Sequence, residues 1–272
     1  KIIMIIWIAS YPKSGNTWVR SFLTNYLSKN KNFDFSQLNK ISRFPRKELY
    51  DDLNINFKNF NDIASNWITM QEYINLKNET IYLKTHNAMV TVNNSKFTNS
   101  NNTLGFIYLV RDPRDIILSY SSHLGISLEE TFELMKYDLS YEMTTRENLK
   151  EVLLGSWSSN YNSWKSFKSV KGLIVKYEDL VTKTEDSFVK IIKYLEKISN
   201  LKFDLDKLKK CIINTNFDTL KKLETEKGFN ERGKNIFFRK GKVGDWKENL
   251  DHKIIKEIEE IFYKEMKELG YL

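Results

Sequence analysis

An apolar run, residues 2–9, leads directly into Tyr11-Pro12-Lys13-Ser14-Gly15-Asn16-Thr17-Trp18. The run has the composition of a buried strand, and after it Trp18, Phe22, Leu23, Tyr26 and Leu27 recur at helical spacing. A strand, a turn of small residues and a helix is the order in which a backbone offers several N–H groups and a positive helix end to an anion. The turn also carries Lys13, Ser14 and Thr17. A phosphate or sulfate group is therefore the expected ligand. The alternative for the octapeptide alone is an ordinary strand–helix turn with a polar lip.

The loop departs from the nucleoside-triphosphate pattern G-x-x-x-x-G-K-[ST]. With Gly15 as the second glycine, Ser10 stands for the first, Asn16 occupies the lysine position and Thr17 the hydroxyl position. The cation has moved to Lys13. Enzymes of the triphosphate type also hold magnesium with an acid at the end of a later strand. Here the best later strand, residues 106–110, ends in Arg111. The sequence thus points to protein cations, with no metal, as the groups that neutralise the ligand.

Three further segments, 81–84, 104–110 and 173–177, read as strands of a parallel sheet, short and rich in apolar residues. Helices are expected over 63–76, 113–123, 149–167, 186–197 and 252–269. Pro113 sits just inside the start of its helix, and Leu153, Trp157, Tyr161 and Trp164 share one face of the third. Strands alternating with helices predict an α/β fold with a central, mostly parallel sheet flanked by helices. Residues 30–62 and 86–103 are asparagine-rich and weakly periodic and read as loops or lids. With neither repeat nor linker in view, one domain over residues 1–272 is the economical expectation.

A hydrophobic content of 41% supports a sizeable core, and the single cysteine, Cys211, excludes an internal disulfide framework. That usage fits a reducing, cytoplasmic setting. No apolar run approaches the ~18 residues of a membrane span. Residues 1–9 are read as a strand and not as a leader, because they lack a small-residue cleavage site and enter the anion loop. The net charge of +8 is spread along the chain with no arginine-rich tract. It fits a lysine-rich surface and a pocket that draws in a small polyanion, and it does not single out a nucleic-acid partner.

Lys84-Thr85-His86 ends the second strand, at the edge of a parallel sheet where ligands bind. His86 can take a proton from a hydroxyl near neutral pH, and Lys84 can add a charge beside the same centre. An isolated histidine there would more often satisfy a local hydrogen bond; beside an anion loop the base is the better reading. Arg111-Asp112-Pro113-Arg114-Asp115 follows the third strand, and Arg111 with Ser119 can bracket one anionic group. Asp112 and Asp115 are read as helix caps, with Arg114 paired to them. Arg239-Lys240-Gly241-Lys242-Val243-Gly244-Asp245-Trp246 is a basic, glycine-containing loop that lets backbone amides approach an anion. Trp18 and Phe217 can sandwich a purine with Tyr177 at its side, or both can simply be core.

These motifs, with Tyr177-Glu178-Asp179-Leu180 and Thr215-Asn216-Phe217, stand in the order seen in soluble sulfotransferases, and the resemblance runs from residue 7 to about 247. That family has a P-loop-type three-layer fold and uses 3′-phosphoadenosine 5′-phosphosulfate (PAPS) as co-substrate, giving adenosine 3′,5′-bisphosphate, with no metal. The resemblance implies that Lys13, Ser14, Gly15, Asn16 and Thr17 hold the 5′-phosphosulfate. It implies that Arg111 and Ser119 hold the 3′-phosphate, with Arg239, Lys240 and Gly241 closing over it. Trp18, Tyr177, Thr215 and Phe217 then surround the adenine. His86 matches the catalytic base and Lys84 and Lys13 the lysines at the sulfonate, so that Lys13, Lys84, His86 and Ser119 form the implied catalytic set. The implied partner is a small acceptor with a hydroxyl or amine.

The chain also departs from the family. Asn16-Thr17 replaces a Thr-Thr pair. The family's dimer motif, Lys-x-x-x-Thr-Val-x-x-x-Glu, is unmatched, since Asp251, His252 and Lys256 stand at its spacings after Lys247, which leaves the oligomeric state open. Segments 30–62, 86–103 and 120–146 are expected to line the acceptor pocket. The competing readings are a P-loop small-molecule kinase, a non-catalytic binder of nucleotide or sulfated sugar, and a nucleic-acid binder.

Overall fold

The computed structural model describes residues 4–29, 32–77, 79–143 and 150–272. The start of the expected first strand, residues 30–31 of the first loop, residue 149 of an expected helix and the end of segment 120–146 lie outside the described residues.

Four parallel strands form the central sheet: β1 (Ile5–Ser10), β2 (Ile81–Thr85), β3 (Thr103–Val110) and β4 (Lys171–Lys176), in the order β2-β1-β3-β4. Trp7 lies in register with Leu83 on one side and Phe106 on the other, and Ile107 with Leu173. Side chains alternate across the sheet with period two. Ile5, Trp7 and Ala9 join Phe106, Tyr108 and Val110 in one core, whereas Ile6 and Ile8 join Ile107 and Leu109 in the other. Both faces are covered, which is why the strands read as nearly continuous apolar runs. Helices α1 (Asn16–Leu27), α4 (Thr184–Ile198) and α5 (Leu205–Asn214) supply the second core; α2 (Pro113–Leu124), α3 (Trp157–Lys165) and the helix Trp67–Asn75 supply the first. The result is a three-layer α/β fold. A smaller aromatic cluster of Phe33, Phe229 and Phe238 with Leu38 and Leu220 gathers beside α6 (Phe217–Lys227).

The chain leaves β1 for β2 on one side and then crosses to β3 on the other. The C-terminal ends of β1 and β3 therefore flank the switch point, where open α/β sheets bind ligands. The outer edge of β2 is paired: Lys84 N–H donates to Ser42 O (2.9 Å), and Phe44 N–H donates to Lys84 O (2.8 Å).

Several elements differ from the sequence expectation. The helix expected over 149–167 is a strand, Lys150–Leu153, paired antiparallel with Tyr141–Met143, and then α3. Gly155, at φ +69°, turns the chain between them, and the Ser156 side chain caps α3 by accepting from Ser159 N–H. Leu153 continues the helical spacing of Trp157 by coincidence. Expected helix 63–76 is two helices, Phe60–Ser65 and Trp67–Asn75, and 252–269 breaks at Phe262 into His252–Ile261 and Tyr263–Glu268. The fourth strand ends at Lys176, and Tyr177 opens the helix Tyr177–Thr182. Residues 30–62 contain the 3-10 helix Phe35–Ile41 and the helix Lys47–Asp52.

Candidate functional site

The loop after β1 curls through two left-handed residues, Lys13 (φ +64°) and Gly15 (φ +93°). A non-glycine residue in that region is uncommon. At Gly15 the reason for glycine is also steric, since a Cβ there would lie 2.8 Å from the Tyr177 ring. Gly15 opens α1, no side chain caps the helix, and no acid stands in its first turn. The first N–H groups of α1, which have no intrahelical partner, are left with the positive end of its dipole for an anion. Trp18 Nε1 and Arg111 Nε, on residues that line the cavity described below, are buried donors without a partner among the described residues. Buried donors nearly always find an acceptor, so this cluster fits an anionic nucleotide that completes the set.

Arg111, at the end of β3, ties three loops together. Its Nη1 donates to Lys13 O (3.2 Å), its Nη2 donates to Lys242 O (3.1 Å), and its guanidinium carbon stands 4.2 Å from the centre of the Tyr177 ring. Asp115 accepts from Gly244 N–H (2.8 Å) and Trp246 N–H (3.0 Å) and lies 3.9 Å from Arg111. It thus holds the basic loop 239–245 against the site and does not cap α2, in contrast to the sequence expectation. Asp112 is the cap, accepting from Arg114 N–H, and it also pairs with the Arg114 guanidinium (2.7 Å). Arg239 and Lys240 line the cavity while pairing with Asp245 (3.3 and 2.7 Å). Gly241, at φ +64°, packs so closely on the Phe217 ring that a Cβ would stand 2.5 Å from it.

His86 follows β2. Its Nδ1 lies 2.7 Å from Ser10 O and 3.2 Å from Ser10 Oγ. A carbonyl only accepts, so Nδ1 carries the proton and Nε2 presents a lone pair. Burial, and then the charge of Lys84, hold His86 well below the usual histidine range. The ring is therefore neutral at pH 7, the form a base requires. Burial also lowers Lys84, against the opposing pull of Glu231 and Glu142. Lys13 is brought down to about 7 by burial first and then by Arg111 and Lys84, against Glu224 and Glu231. Its ammonium rests 3.6 Å from the centre of the Phe237 ring, a cation–π contact.

One cavity of about 1220 Å³ joins these groups. Lys13, Gly15, Asn16, Thr17, Trp18, Lys84, His86, Arg111, Ser119, Tyr177, Phe217, Arg239, Lys240 and Gly241 all line it. Two expected residues stand elsewhere. Ser14 is fully buried behind the loop, and Thr215 is fully buried with its hydroxyl donating to Cys211 O (2.7 Å). Asn16 lines the cavity, but its Nδ2 donates inward, to Ile8 O (3.0 Å) and Ser10 Oγ (3.1 Å). Among the described residues, no group of three or more His, Cys, Asp or Glu is placed to hold a metal ion, and no helix is long and apolar enough to cross a membrane.

Sequence reasoning missed part of the site. Arg20, 2% exposed within α1, chelates Glu231 through Nη1 (2.7 and 2.9 Å). This pair carries residues 229–238 over the cavity, and the Arg20 charge helps hold Glu231 down to about 2 against its burial. Glu224 accepts from Phe237 and Phe238 N–H (2.7 and 2.9 Å) and fixes the same segment. His123 lines the cavity as well. A lone arginine within the apolar pattern of α1 was the one signal available; Glu231 sits in a stretch without periodicity.

Comparison with known proteins gives the family and the fold. The chain is similar to the flavonol 3-sulfotransferase of Flaveria bidentis, at 24% identity over 97% of this chain and 82% of that one. It is similar to the amine sulfotransferase of Oryctolagus cuniculus, at 25% identity over 97% and 81%. Among solved structures, mouse sulfotransferase SULT7A1 complexed with PAP shares the fold at TM-score 0.59 and 19% identity, over 97% of this chain and 85% of that one. Retinol dehydratase in complex with androsterone and inactive cofactor PAP does so at TM-score 0.62 and 18% identity, over 97% and 80%. The family model for a sulfotransferase domain matches residues 5–270, almost the whole chain, and the protein belongs to that family.

Proposed function

We propose that this protein is an enzyme that transfers a sulfuryl group from PAPS to a hydroxyl or amine of a small acceptor, with His86 as general base. One observation carries the reading: the neutral His86, whose Nε2 has no partner among the described residues, and the basic side chains of Lys13, Lys84 and Arg111 line a single cavity with the uncapped start of α1. The Lys13–Thr17 loop holds the 5′ group, Arg111 and Ser119 the 3′-phosphate with the 239–241 loop over it, and Trp18, Tyr177 and Phe217 the base. The bound nucleotide supplies a sulfuryl group activated by its phosphate leaving group. His86 takes the acceptor proton at Nε2 and keeps it away from Nδ1, which Ser10 holds. Lys13 and the loop amides place positive charge where negative charge gathers, so the protein contributes chiefly position and electrostatics. One domain and a cytoplasmic setting belong to the same reading.

Thermal unfolding tests it. Adenosine 3′,5′-bisphosphate at a hundredfold excess over its Kd is expected to add about 2.7 kcal/mol of stability with chelator present. A melt that responds to ATP–magnesium and not to the bisphosphate would assign the site to a kinase.

A further inference from the structure

Building on the sulfotransferase reading, we propose that the acceptor is a compact polyhydroxylated molecule, a sugar or polyol, gripped by charged side chains. Beyond His86 the same cavity is lined by Arg43, Arg46, Tyr50, Phe57, Glu142 and Glu151. Arg43 Nη2 pairs with Glu151 at 2.6 Å, and the Glu151 side chain is 8% exposed. The side chains of Arg46 and Glu142 make no ion pair or hydrogen bond with any described residue, although both backbones are bonded, and Arg46 Nε is buried without a partner. The Glu142 charge acts on Lys84, Arg43, Tyr120 and His123, all of which line the cavity or its wall. The wall therefore presents one carboxylate and one guanidinium with unused bonding capacity.

A flat apolar acceptor would strip water from these groups and return no hydrogen bonds, which a buried polar group pays for in full. A polyol replaces that water. Two neighbouring hydroxyls donate in parallel to a carboxylate, and a guanidinium donates back to hydroxyl oxygens. Phe57, half-buried and packed 4.3 Å between centroids from the buried Tyr50 ring, offers an apolar edge to the C–H side of a sugar ring. The balance of charge, with Arg43 already neutralised by Glu151, favours a neutral acceptor over an anion. The volume, about 1220 Å³, exceeds the roughly 300–1,000 Å³ of a pocket for one small ligand, and so holds a nucleotide and a second molecule together.

The test uses radiolabelled PAPS with the full chain and two panels, one of methyl glycosides, disaccharides and inositols, the other of naphthol and a hydroxysteroid. The best polyol is expected to react at least about tenfold faster than either apolar acceptor, a difference of ~1.4 kcal/mol in barrier. Glu142→Gln and Arg46→Gln are each expected to raise the KM of that polyol about tenfold and to leave kcat within about threefold. Naphthol or steroid turnover equal to the best polyol, no labelled polyol at all, or an unchanged KM in both variants overturns the inference. Melting with the bisphosphate separates the two levels. If the bisphosphate still stabilises the protein, only the acceptor class falls; if it does not, the nucleotide reading falls with it.

Discussion

His86 Nδ1 hydrogen-bonds to the main-chain oxygen of Ser10 at 2.7 Å, so the end of β2 is oriented by the end of β1. The tautomer that results is fixed by the strand beside it, not by the substrate. His86→Ala is expected to lower transfer by about 10² to 10⁴, the usual worth of a general base, while the bisphosphate Kd stays within about threefold. Because burial lowers this histidine, its acid limb in kcat is expected below pH 6.5, with a flat profile from there to neutrality. Full turnover in the alanine variant, measured with labelled donor, would remove His86 from the base role.

Lys13 titrates near 7 in the protein alone. An anion at the loop favours the charged lysine, so binding takes up a proton. Affinity for the bisphosphate is expected to weaken as pH rises from 7 to 9, and calorimetry in buffers of different ionisation enthalpy should register proton uptake. Lys13→Arg keeps its charge throughout this range and should flatten the profile. An equal slope in both proteins would place the titrating group elsewhere.

Gly241 is doubly constrained, by φ +64° and by the Phe217 ring. Gly241→Val should push residues 239–245 off the ring and weaken bisphosphate binding by about tenfold or more, ~1.4 kcal/mol, with a smaller change in melting temperature. Unaltered affinity in equilibrium binding would show that this loop does not touch the nucleotide.

Gly172 lies in register with Phe106, and a Cβ there would stand 2.1 Å from that ring. Gly172→Val is expected to cost ~1–3 kcal/mol through overpacking. At about 2–4 °C per kcal/mol, the shift is easily read by calorimetry, and bisphosphate binding should survive.

The Arg20–Glu231 pair makes a pH-dependent contribution. Glu231 is depressed to about 2 from an ordinary 4.5. The stabilisation is therefore complete above pH 4.5 and is lost as pH falls toward 2. Glu231→Gln should melt below the parent at pH 7, and the gap should close between pH 4.5 and 2 in urea titrations.

The strands and the anion loop were legible because both depend on neighbours in sequence. β1 and β3 are buried on two faces and read as unbroken apolar runs, and Lys13, Gly15 and Arg111 follow strand ends. Long-range partnerships were not legible. Asp115 looked like a cap because acids favour the first turn of a helix, yet its oxygens serve amides 129 and 131 residues away. Thr215 has the family's spacing but spends its hydroxyl on its own helix. Leu153 matched a helical face although it lies in a strand, since one apolar residue four before Trp157 satisfies both periods. The proposed acceptor wall of Arg43, Arg46, Phe57, Glu142 and Glu151 comes from stretches with no periodicity to read and is assembled only once the chain is folded.

The pairing of Ser42 and Phe44 with Lys84 has a consequence for behaviour at high concentration. With the Lys84 backbone already bonded to the chain's own segment, an incoming extended strand finds the row interrupted near the end of β2, and the longer open margin is the far side, along β4. That strand begins with the exposed Lys171, and a lysine on an edge repels a like copy, while Lys176 at its other end is engaged by Leu269 O and the Tyr271 ring. Fibrillar growth from the sheet is thus opposed at one border by geometry and at the other by charge.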